Sequence, residues 1–135
     1  MVDRRSVIAA SLAGAAGTLG GCATGTSQPP ASAAGQVKLT ILHHVPKDPV
    51  ASDRHYEQVH MPLVAAVKGL GRMERSKPMP LSPTAPQPYH RMVEFWFDNQ
   101  EHFRTVMGSP EWAMVSADAK NFATNGITVV ISRIT

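Results

Sequence analysis

The sequence predicts one small α+β domain, a ferredoxin-like βαββαβ unit whose four strands form a single antiparallel sheet. Three observations carry this expectation. Hydrophobic periodicity changes in the order strand, helix, strand, strand, helix, strand over residues 36–135. That stretch holds about 100 residues, enough for one core and too few for two. Its best strands are apolar on both faces, with Leu42 alternating against Ile41, Trp96 against Phe95 and Val130 against Ile131. Two helices cover one face of such a sheet. The other face then needs a partner, and a second copy with the two sheets facing each other is the expected solution, with ligand space between them.

The 135-residue chain opens with a segment that does not belong to the fold. Asp3-Arg4-Arg5-Ser6 supplies a positive start, and Val7 to Gly21 is a small-residue apolar run of signal-peptide length. Leu19-Gly20-Gly21-Cys22 resembles the bacterial lipoprotein box, which makes Cys22 the expected lipidation site. The paired Arg4-Arg5 resembles a twin-arginine export signal. The expectation is an exported protein, lipid-anchored on the periplasmic side of the membrane, with 1–22 as the signal segment. Residues 23–35 are small, polar and Pro-containing, and read as a flexible linker. Cys22 is the only cysteine, so no intrachain disulfide can form.

Within 36–135 the elements follow in order. Val37 to His43 alternates and is rich in β-formers, which predicts the first strand. Asp53 is the expected N-cap of a helix running to about Lys68, with Tyr56, Val59, His60, Leu63, Val64 and Val67 on one face. Pro62 predicts a kink or a helix in two pieces, and Gly69 and Gly71 end it. Arg72 to Lys77 is the second strand and Pro78 to Pro88 an extended loop. Tyr89 to Phe97 alternates most clearly and is the third strand. Asp98 with Glu101 reads as a capping box for the next helix, which Ser109-Pro110-Glu111 restarts and which continues through Ala119. Trp112 and Met114 are expected in the core. Ile127 to Ile134 is the last strand.

Composition narrows the function. The chain has 13 Lys and Arg against 10 Asp and Glu; without Arg4, Arg5 and Asp3 this leaves 11 and 9, a net charge of +2. That is too small and scattered for nucleic-acid binding. No nucleotide loop, nucleophile elbow or metal motif is present, so neither a cofactor nor a metal is expected.

Tyr56-Glu57-Gln58-Val59-His60-Met61-Pro62-Leu63 resembles the aromatic-x-x-x-His-x-Pro-Leu helix of EthD-type proteins. The resemblance extends to Lys38-Leu39-Thr40-Ile41-Leu42, Phe97-Asp98, Ser109-Pro110-Glu111 and Asp118 followed by Asn121-Phe122. It spans nearly all of residues 37–134 and implies a ferredoxin-like monomer that forms a dimeric α+β barrel, with oxidoreductase activity as the family-level label. Where relatives often carry Tyr at the end of the first strand, this chain has His43 followed by His44.

The candidate residues follow from chemistry. His60 can exchange a proton near neutrality, and Tyr56, one turn earlier on the same face, can orient or assist it. Alternatively His60 caps a carbonyl freed by Pro62. His43 and His44 point to opposite sheet faces, so at most one lines the barrel. Arg91 and Glu94 also lie on opposite faces. With Trp96 and His43 they are the candidate ligand-binding residues. Asp118 reads as a solvated helix end. The expected function is an enzyme acting on a small hydrophobic or aromatic compound in the barrel cavity, of oxidoreductase or isomerase type. The alternative is a non-catalytic periplasmic binding or accessory protein.

Overall fold

A computed structural model of the protein describes residues 34–135. The signal segment, Cys22 and nearly all of the 23–35 linker lie outside the described residues. The domain runs β1 (Val37–His43), α1 (Pro49–His55), a π-helical turn (Tyr56–His60), α2 (Met61–Ala65), β2 (Arg72–Ser76), β3 (Arg91–Phe97), α3 (Gln100–Met107), α4 (Pro110–Asp118), a 3₁₀ turn (Ala119–Asn121) and β4 (Ile127–Arg133). The sheet order is β2-β3-β1-β4, with every pair antiparallel. This is the ferredoxin-like fold expected from the order of periodicities.

Alternation along the two central strands divides the sheet into faces. Val37, Leu39 and His43 of β1 and Arg91, Val93, Phe95 and Phe97 of β3 are buried on the helix side. Tyr56, Phe97 and Phe122 are among the largest fully buried side chains of that core. Burying a side chain of this size contributes about 1.5–3 kcal/mol, so the helix-side layer is what holds the domain. The outer face carries Lys38, Thr40, Leu42, Met92, Glu94, Trp96, Thr128 and Val130 by register. It is less apolar than the sequence suggests. Lys38 pairs with Glu94 at 2.9 Å, and the Arg72 guanidinium lies 4.0 Å over the Trp96 ring.

Four local expectations are corrected. The first helix starts at Pro49, because Asp48 caps it by accepting from the Ala51 N–H at 2.9 Å. Asp53 lies inside α1, where its carboxylate accepts from His90 Nε2 at 2.7 Å and from Arg91 Nη2. The helical run comes in two α pieces, as expected at Pro62, but it ends at Ala65 and not near Lys68. The turn between the pieces is widened: the Met61 N–H reaches back to the Tyr56 carbonyl, five residues away. Asn99, not Asp98, caps α3, accepting from the His102 N–H at 2.9 Å. Met114 is 59% exposed, whereas Trp112 packs edge-on against Phe95 in the core. Helix α4 faces the core through Trp112 and Val115, so the intervening Met114 points away from it.

Gly69 and Gly71, expected to end the helix, lie beyond its end at Ala65. Gly69 adopts φ +70° in the turn that leads from α2 to β2, a conformation that a Cβ disfavours. At Gly71 a Cβ would overlap the Trp96 carbonyl, so only Gly lets β2 start beside β3. Among the described residues no helix is long and apolar enough to cross a membrane.

Candidate active site

The helix side of the sheet is not completely filled. Helices α3 and α4 lie over β1 and β3 but leave β4 uncovered, and Ile127, Val129 and Ile131 remain 39%, 49% and 56% exposed. Between these strands and the helices lies a cavity of about 390 Å³. That volume falls in the range of small-molecule sites. Its walls are mostly apolar: Leu39, Ile41, Phe103, Trp112 and Phe122 with the three β4 residues. The polar groups on its lining are His43, His60 and Ser116.

The π turn aims His60 at this cavity. Tyr56 and His60, at its two ends, are stacked with centroids 5.3 Å apart, and the Phe122 ring meets His60 edge-on at 4.5 Å. His60 Nδ1 lies 2.9 Å from Asp118 Oδ2, and both residues are more than nine-tenths buried. Asp118 is therefore not the solvated helix end that the sequence suggests. Its carboxylate also accepts from His55 Nε2 at 2.8 Å and from Asn121 Nδ2 at 2.9 Å. Burial alone would push this carboxyl up, but the hydrogen bonds from Asn121, His55 and His60 overcome it and hold it below its ordinary range.

An ionised Asp118 accepts only, so His60 Nδ1 carries the hydrogen and Nε2 carries the lone pair. No protein group among the described residues bonds Nε2. Burial lowers the His60 pKa, and the Asp118 hydrogen bond and charge offset only part of that. The ring is thus neutral at pH 7, oriented by a carboxylate, with a free basic nitrogen. This is the arrangement a general base requires. The alternative reading, that His60 caps a carbonyl freed by Pro62, finds no such bond, because Nδ1 is committed to Asp118.

His43 stands beside it. Its ring meets Tyr56 at 5.8 Å and Phe122 at 5.2 Å, edge-on in both cases. Burial, then the Arg91 charge, then His60 and His90, lower its pKa to about 4. Its neighbour His44 points to the outer face and bonds Thr128 Oγ1 at 2.9 Å. Arg91 stacks on the far side of Tyr56, its guanidinium carbon 3.5 Å from the ring centroid. Burial raises the Tyr56 pKa, against the pull of Arg91 and Arg75.

The structure therefore brings His43, Tyr56, His60 and Arg91 together on the helix side. Glu94 and Trp96 lie on the opposite face, where Glu94 pairs with Lys38 and Thr40. Sequence reasoning missed Asp118 as His60's partner, and missed His55. The signal available was the Asp118–Asn121 spacing of three at the end of a helix. It marks a carboxylate with a local donor, but the 58-residue separation from His60 hides the pairing. Among the described residues no three His, Cys, Asp or Glu side chains converge as a metal-binding group.

The EthD domain model matches residues 46–126. An uncharacterised 11.0 kDa protein from the thcB–thcC intergenic region of Rhodococcus erythropolis is 30% identical over 95 residues, covering 70% of this chain and 91% of the relative. A crystal structure of an ethyl tert-butyl ether D family protein from Bacillus halodurans C-125 is 30% identical, with a TM-score of 0.66 over 74% of this chain and 99% of that one. SnoaB, a cofactor-independent oxygenase from Streptomyces nogalater, shares the fold alone: 11% identity and a TM-score of 0.51, over 73% of this chain and 92% of that one. The match to more than half of the residues, and a relative 30% identical over 91% of its own length, show that this chain belongs to the EthD domain family.

Proposed function

We propose that the protein is a small-molecule enzyme that removes a proton from an acidic C–H or O–H group of a hydrophobic or aromatic compound held in the cavity. The observation that carries this reading is the buried His60–Asp118 pair on the wall of an otherwise apolar pocket. In the proposed step His60 Nε2 takes the proton and the electron pair stays on the substrate, while Asp118 stabilises the resulting imidazolium. Return of that proton to a different atom is an isomerisation. Transfer of the electrons to dioxygen is an oxidation, the class named for SnoaB. A mostly apolar lining also favours the second reading, a binding protein with no chemistry of its own.

The reading includes assembly and location. The half-shielded Leu42, Met92 and Trp96 and the exposed Val130 on the outer face support a homodimer. The Leu19-Gly20-Gly21-Cys22 stretch supports export and a lipid anchor.

Deuterium wash-in at acidic C–H positions of a panel of small cyclic and aromatic compounds, followed by proton NMR, tests the activity. The full chain should catalyse exchange in at least one. His60→Asn should lower it about 10²–10⁴-fold with the fold intact, and Asp118→Asn should lower it too by releasing the tautomer. Binding without exchange across the panel makes the protein a carrier. Undiminished exchange by His60→Asn removes the proposed base.

A further inference from the structure

Within the cavity just assigned, one buried polar group has no employment in the protein. His43 is only 5% exposed, its Nδ1 is shielded from solvent, and that atom has no hydrogen-bond partner. Among the described residues no side chain or backbone group bonds its Nε2 either. A buried donor or acceptor left without a partner is destabilising, and native proteins keep very few of them. A Leu or Phe at the same place would fill the gap between Tyr56 and Phe122 at no such cost. His43 nevertheless shares the cavity lining with His60, and both rings abut the same Tyr56 and Phe122.

The charge state of the site adds a second constraint. The residues lining the cavity include no Lys, Arg, Asp or Glu. Arg91 is not part of the lining: its guanidinium stacks on the Tyr56 ring and donates to Asp53 through Nη2, while its Nη1 is buried without a partner. Nothing there would compensate a carboxylate or phosphate, and burying such a charge unpaired is costly. The ligand is therefore uncharged on entry, and the polar side chains it can meet are His43, His60 and Ser116.

We propose that His43 is the oxygen-binding residue of this site, and that the substrate class is uncharged ring compounds bearing a carbonyl or phenolic oxygen conjugated to an acidic C–H. The inference rests on the proton-abstraction reading above and gives that reaction its second half. As the C–H bond breaks, its proton goes to His60 Nε2. The electron pair forms a carbon–carbon double bond, and the carbonyl π electrons move onto oxygen, which becomes an enolate. With Nδ1 shielded, Nε2 is the nitrogen through which His43 meets a ligand, and its hydrogen bonds the oxygen as charge develops there. A neutral imidazole suits this task, because it donates without first holding an anion. Burial and the neighbouring cationic groups keep His43 neutral at pH 7. Tyr56 serves as the packing surface that sets both rings.

The test compares two probes of the same shape, β-naphthol and naphthalene, binding to the full chain. The reporter is the fluorescence of Trp112, which lines the cavity; Trp96→Phe removes the background from the other face. The protein should bind β-naphthol about tenfold more tightly than naphthalene, since each factor of ten corresponds to one good hydrogen bond. His43→Phe should close that gap and leave naphthalene affinity within about twofold. His60→Asn should preserve the gap. The inference is overturned if the gap survives His43→Phe, if the protein binds both probes equally, or if it binds neither. Deuterium wash-in to β-tetralone separates this failure from failure of the parent reading. Exchange that requires His60 but ignores His43 refutes the oxygen site alone. A His43-dependent gap without any exchange refutes the catalytic reading and leaves the oxygen site standing.

Discussion

The buried, neutral His43 should make the domain sensitive to mild acid, and His43→Phe should remove most of that sensitivity. The sign follows from the direction of the shift. The ring ionises near pH 4 in the folded protein and near pH 6.5 in the unfolded chain. Above pH 6.5 it is neutral in both states and contributes no pH dependence. Below that, the unfolded chain takes up the proton while the folded ring does not, so unfolding is favoured progressively until about pH 4. Each pH unit in that window is worth about 1.4 kcal/mol, giving a loss of about 3 kcal/mol. For a domain of this size that lowers Tm by about 15–25 °C. His60, also shifted down, acts in the same direction and supplies a remaining share. Asp118 and Asp53 are held low by their partners, so their contribution is present above about pH 4 and is lost below it. The charged and titratable groups around His43 are Arg91, His60, His90 and Tyr56, and all remain in the variant. Urea unfolding from pH 7.5 to 4.5 measures the effect. The wild-type protein should lose stability steeply below pH 6.5, and His43→Phe should lose much less. At pH 7.5 the variant should match or exceed the wild type, because it removes a buried atom without a partner. Equal acid loss in the two proteins would refute the reasoning.

Two predictions concern assembly and location. The domain should sediment as a dimer at micromolar concentration, and Trp96→Glu or Val130→Glu on the outer face should dissociate it, since a buried unpaired charge costs several kcal/mol, about the surplus of a modest interface; a wild-type protein that stays monomeric at high concentration counts against the facing-sheet assembly. Cys22→Ser should leave an unlipidated precursor that no longer partitions into detergent, and equal membrane retention of wild type and variant would end the lipid-anchor proposal.

The fold was legible because its signals are local. Alternation in Val37–His43 and Arg91–Phe97 and the Ser109-Pro110 helix start each depend on a few adjacent residues. Helix starts were misplaced where two acceptors compete: Asp48 and Asp53, or Asp98 and Asn99, are equally good caps by type. In both cases the unused aspartate engages a histidine, Asp53 with His90 and Asp98 with His102. That choice depends on the tertiary surroundings, which no local pattern contains.

The site was legible in half. His60, Tyr56, His43 and Arg91 could be named because their side-chain chemistry and their strand or helix faces are written in the sequence. What those residues do to one another is not. Asp118 becomes the partner of His60 only because the end of α4 packs beside the π turn. In a regular α-helical turn, with fewer residues per turn, His60 would stand at a different angle about the helix axis. Glu94 and Trp96 illustrate the converse. Their types suit a ligand site, but the two-residue period of β3 sends them to the face opposite Val93 and Phe95. Residue type nominates a site, periodicity chooses its face, and only packing between distant segments supplies the carboxylate that makes an imidazole a base.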